Sequence, residues 1–398
     1  MSAARPIRMA FALALLGALA GCSSGESEPE FTDVQIAQGA PIMIGVSTML
    51  EGDLSSTGRA LADAAELAGQ DVMIAGHPVQ FVEANDGCTE RGGITAAREL
   101  AEQDVVAVVG PSCSDAVIGS QPVYEDAGIT HISQLSTNVK TTQPEDRAPF
   151  QTFLRTSFND AIQGEGQADF AEQTLGAESV FIVYEAFRYG GAVDPFRKAF
   201  DGNFIDDVGF DDKSEFPDLA ARIADANPDL VYFSGFYPTG IPFVQALRDA
   251  GYSGPVLAGD AMYDQQTIER LGTVAEHELY ITLPSPKQEG SAFEQFDSSY
   301  QTTYGSDPRG TPFAAESYDA ATAILNALEA DGVVTESDGG GVQVDEQELN
   351  EAVYDVSFDG ASGPVRFDDK GDRVAEGLSP VTVFVVQDGV FVPVTTDR

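Results

Sequence analysis

Two cysteines, a serine that opens a helical pattern, a threonine-containing loop and one aspartate carry most of the chemistry in this 398-residue chain. Gly110-Pro111-Ser112-Cys113-Ser114-Asp115 joins a valine-rich run to a helical pattern, and Leu135-Ser136-Thr137-Asn138 follows another short apolar run. A helix N-terminus has N–H groups without intrahelical partners and the positive end of the dipole, so Ser114 plus backbone makes a seat for a carboxylate. The same serine serves equally as a plain N-cap. Asp260, after Leu257-Ala258-Gly259, is placed to pair with a cation, or to face water as one of 64 acids. Phe236-Tyr237-Pro238 and Tyr189-Gly190 offer ring walls in comparable loops, or ordinary core and rim packing. Cys88 and Cys113 lie just beyond apolar runs expected to be neighbouring strands, and pairing them is the economical assignment for a chain bound for an oxidising compartment, as the N-terminal segment described below implies. Closing that loop would stabilise the fold by roughly 3 kcal/mol. Two free thiols are the alternative, while His77, His131 and His277 make no metal-ligand spacing with either cysteine. There is no G-x-S-x-G elbow, nucleotide-binding glycine fingerprint, P-loop or H-E-x-x-H, so neither catalysis nor a cofactor is supported.

The elements that must position these residues repeat as short apolar run, turn, amphipathic helix. Strands are expected at 42–47, 79–83, 105–109 and 129–133, with helices at 59–71, 92–102 and 115–125 between them. Runs such as Val105–Val109 are apolar without alternation, which suits strands covered by helices on both faces. A second series follows Arg155: strands at 179–184, 204–208, 230–234, 255–258 and 279–283, helices at 161–174, 192–200, 216–226, 240–250 and 264–270. Helices are expected again at 290–304 and 312–330, then a Gly/Asp-rich loop at 331–345 read as a solvated turn. Val381–Val386 and Val390–Val394 flank an Asp388-Gly389 turn, a hairpin signature. The expected fold class is therefore α/β: two lobes, each a mainly parallel sheet flanked by helices, with the loops named above at the strand ends where open α/β sheets form their crevice.

Arg5 and Arg8 precede a twelve-residue apolar run, Met9–Ala20, too short to span a membrane. It ends in Leu19-Ala20-Gly21-Cys22, similar to the lipobox of secreted lipoproteins, which implies cleavage of 1–21, lipid on Cys22 and a tether over 22–40. The chain carries 21 basic and 64 acidic residues, net −43, and cleavage removes two Arg and no acid to leave −45. Such a surface repels nucleic acid and suits work at high salt, where screening moderates self-repulsion, as in a halophilic protein.

The segment VEANDGCTERGGITAARELAEQDVVAVVGPSCSDAVIGSQPVYEDAGITHISQLSTN at 82–138 resembles the branched-chain amino acid binding proteins of ABC importers, within the type I periplasmic binding fold. Supporting pieces are FLRTSFNDAIQG at 153–164, Tyr189-Gly190, DLVYFSGFYP at 229–238, LAGD at 257–260 and GPVRFDDKGD at 363–372. The resemblance implies a Cys88–Cys113 disulfide. It implies that Ser114 and Thr137, with backbone around Leu135 and Ser136, hold a ligand carboxylate, and that Asp260 pairs with its ammonium. Phe236 replaces a family tyrosine beside Tyr237, and Tyr189 and Leu54 join the ligand residues. Leu50-Glu51-Gly52-Asp53-Leu54-Ser55 departs from the family's wording of the first ligand loop, so Glu51 and Asp53 either belong to the acidic surface or alter which ligand is accepted. Lobe 1 would comprise 41–156 and 285–376, and lobe 2 157–284 and 377–398, joined by three crossovers. Implied partners are a small amino acid and membrane permease subunits. An amide, urea or aromatic amino acid ligand, or a sensing role, is the alternative in the same fold.

Overall fold

The computed structural model describes residues 29–185, 193–276, 278–286, 288–337 and 339–394. The first half runs β1 (Asp33–Ile36), β2 (Ile42–Thr48), α1 (Ser55–Ala68), β3 (Met73–Ile74), β4 (His77–Asn85), α2 (Glu90–Ala101), β5 (Ala107–Val109), α3 (Ser114–Ala127), β6 (Thr130–Ser133) and β7 (Phe153–Arg155). Six of these strands form one sheet in the order β3-β4-β2-β5-β6-β7, parallel except for the β3–β4 pair. Val105 to Val109 are all buried, as expected of central strands covered on both faces. The order reverses direction at β2, which puts the loops after β2 and β5 on either side of a topological switch point, where ligands bind in open α/β sheets. Helices α2 and α3 meet through glycine: a Cβ on Gly93 would stand 2.0 Å from the Ala116 carbonyl oxygen. That close approach sets the N-terminal end of α3 against α2.

The chain then crosses to a second sheet. Its first elements are α4 (Asp160–Asp169), β8 (Ser179–Glu185), α5 (Val193–Ala199), β9 (Asn203–Phe210), α6 (Phe216–Ala226), β10 (Leu230–Ser234), α7 (Tyr237–Asp249), β11 (Val256–Ala258), α8 (Gln265–Leu271) and β12 (Leu279–Leu283). It returns to pack α9 (Ser291–Tyr304), α10 (Ala314–Leu328) and α11 (Glu346–Tyr354) with the first half, where Ile324, Leu328, Leu349 and Val353 share a core with Ile42, Ile44 and Val106. Between and after these helices come β13 (Val334–Glu336), β14 (Val342–Asp345), β15 (Phe358–Gly360) and β16 (Gly363–Val365). A third crossing delivers β17 (Thr382–Gln387) and β18 (Val390–Pro393) to complete a sheet ordered β18-β17-β12-β11-β10-β8-β9. The β17–β18 turn carries Asp388 and Gly389, both at positive φ, the backbone an Asp-Gly hairpin turn requires. The two helix-flanked, mainly parallel sheets agree with the expected architecture.

Three expectations need correction. Asp33–Ile36, inside the stretch read as tether, is a strand paired antiparallel with β14, and Ile36 is buried. The Gly/Asp-rich 331–345 loop holds β13 and β14, which complete that three-stranded sheet, and α11 follows directly. Strands of three or four residues are too short to show a period, and β1 and its partner β14 lie some 300 positions apart in sequence, so that pairing has no local signature. Finally, β4 and β5 are not neighbours, because β2 lies between them. Cys88 and Cys113 are nevertheless bonded, with Cα atoms 5.1 Å apart, because the loops after β4 and β5 converge over the end of β2.

Candidate functional site

A cavity lies where the C-terminal strand ends of the two sheets face each other, walled by Met49, Leu54, Thr57, the Cys88–Cys113 pair, Ser114, Leu135, Thr137 and Asn138 from one side. Asp160, Phe236, Tyr237, Asp260, Tyr263 and Asp264 close the other. Four aspartates line it, Asp115 being the fourth, and no Lys, Arg or His does so among the described residues.

Ser114 is the first residue of α3, and Cys113 occupies the cap position without a side-chain capping bond. The serine hydroxyl accepts from Asn138 N–H at 3.2 Å and from the Ser136 hydroxyl at 3.2 Å, which docks the post-β6 loop on the helix start. Ser136 itself is fully buried and stands behind the wall; its carbonyl accepts from Arg155 Nη1 and from the Ser157 hydroxyl. Arg155 is also fully buried and bonds Asp372 through Nε at 2.6 Å, so its charge is matched before it reaches the cavity. Burial opposes the charge on Asp372, but the Arg155 guanidinium and the hydrogen bonds from Gln143 and Thr142 leave that carboxyl below its ordinary value.

Two acids complete the polar lining, one of them beside Thr137. Asp160 opens α4 beside the capping Asn159, and its N–H donates to the Thr137 carbonyl at 2.8 Å. Its Oδ1 is buried with no hydrogen-bond partner among the described residues. Burial, and next the charge of Asp260, push the Asp160 carboxyl up to about 7, against the lowering effects of Thr137 and Arg155. Asp260 begins a short turn after β11, is buried, and accepts from Gln163 Nε2 at 3.0 Å. Gln163 sits one turn along α4 from Asp160, so one helix positions both carboxylates.

The side walls are apolar and aromatic. Leu54 directly precedes α1, Leu135 is half-buried, and Phe236 and Tyr237 stand at the start of α7. The Tyr237 hydroxyl donates to the Asp53 carbonyl at 2.5 Å across the cleft. A second cross-cleft bond runs from the Thr57 hydroxyl to Asp264 at 2.9 Å, whose other oxygen caps α8 through Gln266 N–H. The structure thus brings together Leu54, Ser114, Leu135, Thr137, Phe236, Tyr237 and Asp260 at one cavity, with Ser136 behind it. Tyr189 and Cys22 lie outside the described residues. Sequence reasoning assigned no role to Asp160, Thr57, Tyr263 or Asp264; Asp160 lies inside FLRTSFNDAIQG, where nothing local separates it from the chain's other acids. No group of three or more His, Cys, Asp or Glu is placed to hold a metal, and no helix is long and apolar enough to cross a membrane, among the described residues.

The sequence profile described as periplasmic binding protein matches residues 41–389. This chain belongs to the periplasmic binding protein family. The family is one of non-catalytic solute-binding proteins, and the position of the cavity between two sheets fits that membership. Among relatives of this periplasmic binding protein, the Leu/Ile/Val-binding protein of Escherichia coli K12 is 26% identical over 365 residues, covering 89% of this chain and 92% of its own. An amino acid binding protein of Pseudomonas aeruginosa is 27% identical over 283 residues, 69% of each chain. The crystal structure of a leucine binding protein from Thermotoga maritima superposes with a TM-score of 0.77 at 25% identity, covering 89% of this chain and 98% of that one. A Rhodopseudomonas palustris solute binding protein in complex with benzoate shares the fold, with a TM-score of 0.74 at 20% identity and coverage of 89% and 95%.

Proposed function

We propose that this protein is the substrate-capturing component of an ABC importer and binds a branched-chain or related hydrophobic amino acid between two closing lobes. The observation that carries the reading is the lining of one cavity: a hydroxyl at a helix N-terminus, Ser114, and one in the neighbouring loop, Thr137, share it with two buried acids, Asp160 and Asp260, the first with an oxygen that has no partner among the described residues. A zwitterion answers both. Its carboxylate takes the Ser114 and Thr137 hydroxyls and the N–H groups of α3, with Leu135 and Ser136 shaping that seat, and its ammonium sits between the acids. A buried charge needs such partners, so binding and closure are coupled. The apolar side chain then packs on Leu54, Leu135, Phe236 and Tyr237, each methylene contributing about 0.8 kcal/mol. Lobes of 41–156 with 285–376, and 157–284 with 377–398, close about the three crossings.

Export with lipid on Cys22 tethers the body at the membrane, beside the permease subunits to which the closed form delivers its ligand. The acidic surface suits high external salt. Titration calorimetry of the purified body against leucine, isoleucine, valine, lysine, aromatic amino acids, amides, urea and benzoate tests the reading. Binding of hydrophobic amino acids, with des-amino acids and benzoate excluded, is the expected result. Preference for a ligand without an ammonium group overturns it.

A further inference from the structure

Beneath the cavity floor lies a carboxylate that does not line the cavity and that the proposed binding chemistry leaves unused. Asp86 follows β4 and is fully buried. Its Oδ1 accepts from the Cys88 N–H at 2.8 Å, and its Oδ2 accepts from the Ser112 N–H at 3.1 Å, with the Ser47 hydroxyl at 3.5 Å. Its own N–H donates to the Thr48 carbonyl at 2.9 Å. Ser112 in turn donates its hydroxyl to Thr48 Oγ1 and accepts from Gln134 Nε2, both at 2.8 Å. One acid therefore gathers the C-terminal ends of β2, β4 and β5, and through Ser112 that of β6.

We infer that Asp86 is a positioning residue for ligand capture: by bridging the N–H groups of Cys88 and Ser112 it fixes the Cys113–Ser114 step, and with it the helix end that receives the ligand carboxylate. This rests on the amino-acid reading of the site. The disulfide fixes how far apart the two loops are, whereas an acceptor pair on one rigid carboxylate fixes the direction in which the Ser112–Ser114 backbone leaves β5. Protonation turns one oxygen into an O–H donor and a weaker acceptor, so only the ionised form presents two full acceptors to these N–H groups. Burial, against the bonds from Cys88, Ser112 and Ser47, pushes the Asp86 carboxyl up to about 6. The titratable group facing it is the buried Tyr124 phenol of α3, itself pushed up by burial and by the Asp86 charge, so it stays neutral through this range.

The test compares leucine with leucinamide, which keeps the ammonium and side chain and lacks the carboxylate, by calorimetry on the whole protein and on Asp86→Asn. Wild-type protein is expected to prefer leucine. In Asp86→Asn, leucine affinity falls about tenfold or more while leucinamide affinity changes less than threefold, because only the carboxylate seat is disturbed. In wild type the leucine/leucinamide ratio falls between pH 7 and pH 5 as Asp86 takes up its proton, more steeply than in the variant. Asp160, whose carboxyl bonds Thr137 at the same seat, titrates in both proteins, so the difference between the two slopes reads Asp86. Equal losses for both ligands, or an unchanged ratio, overturn the inference as a purely structural role. If Asp86→Asn does not fold, a flat ratio in the wild-type pH series still overturns it. Wild-type protein that binds no amino acid overturns the underlying reading, and is seen before any variant is made.

Discussion

Asp260→Asn removes one charge from the proposed ammonium end and little else, since the Asn carbonyl can still accept from Gln163 Nε2, now at 3.0 Å from Asp260. Taking one partner from a buried charge pair costs about 2 to 5 kcal/mol. Part of that loss returns through Asp160, which sits up at about 7 chiefly through burial and secondly through the Asp260 charge. With its carboxyl at about 7, Asp160 is partly protonated in the ligand-free protein at pH 7, and removing the neighbouring charge favours its ionised form against the burial that remains, a gain of at most about 0.4 kcal/mol for a factor of two in population. The net expectation is a loss of roughly 2 to 4 kcal/mol at pH 7, about 30-fold or more. The pH profile changes as well. An ammonium prefers ionised Asp160, so wild-type affinity falls as pH drops below about 7, approaching tenfold per unit, with proton release on binding. In Asp260→Asn that fall moves to lower pH. Calorimetry with leucine at pH 6, 7 and 8, in buffers of differing ionisation enthalpy, reads both affinity and proton release. A loss under threefold at pH 7, or a wild-type affinity flat between pH 6 and 8, would falsify the assignment of this acid pair to the ammonium.

Ligand-free protein should melt higher at pH 5.5 than at pH 8, by roughly 3 °C or more. Burial leads the causes that push Asp86 up to about 6 and Asp160, Glu316 and Glu346 up to about 7, so the native state holds more protons than the unfolded chain from about pH 4 to 7, and stability declines as pH rises through that window. A calorimetric melt that rises steadily from pH 5.5 to 8 refutes this. Replacing both Cys88 and Cys113 by Ala should cost about 3 kcal/mol in a urea titration, given their separation of 25 residues, and a loss under 1 kcal/mol contradicts it. Raising salt towards 1 M, where the screening length is about 3 Å, should raise the melting temperature strongly while leucine affinity shifts far less, because the acid pair is buried. Preferential lysine binding that collapses with salt would instead make the four aspartates around the cavity, with Glu51 and Asp53, a site for a basic ligand.

Much of the architecture was legible in the chain. Fully covered strands such as β5 show as unbroken apolar runs, and the closing hairpin announces itself through Asp388-Gly389. Illegible parts were those whose partners are remote. The β1–β14 pairing joins Asp33–Ile36 to Val342–Asp345 through four residues a side, and a strand that short has no period to detect.

At the site, residue type and position after an apolar run marked the loops of Ser114 and Thr137, and Asp260, as local features open to plainer readings, and the family resemblance singled those three residues out. Whether such groups meet is a matter of how two sheets face each other. Only the tertiary structure put Asp160 beside Asp260, placed Ser136 behind the wall, and showed Arg155 committed to Asp372. The charge state of a carboxyl follows from the same source: burial and a neighbouring charge separate Asp160 from the many other acids of the chain, and neither is written in any short stretch of sequence.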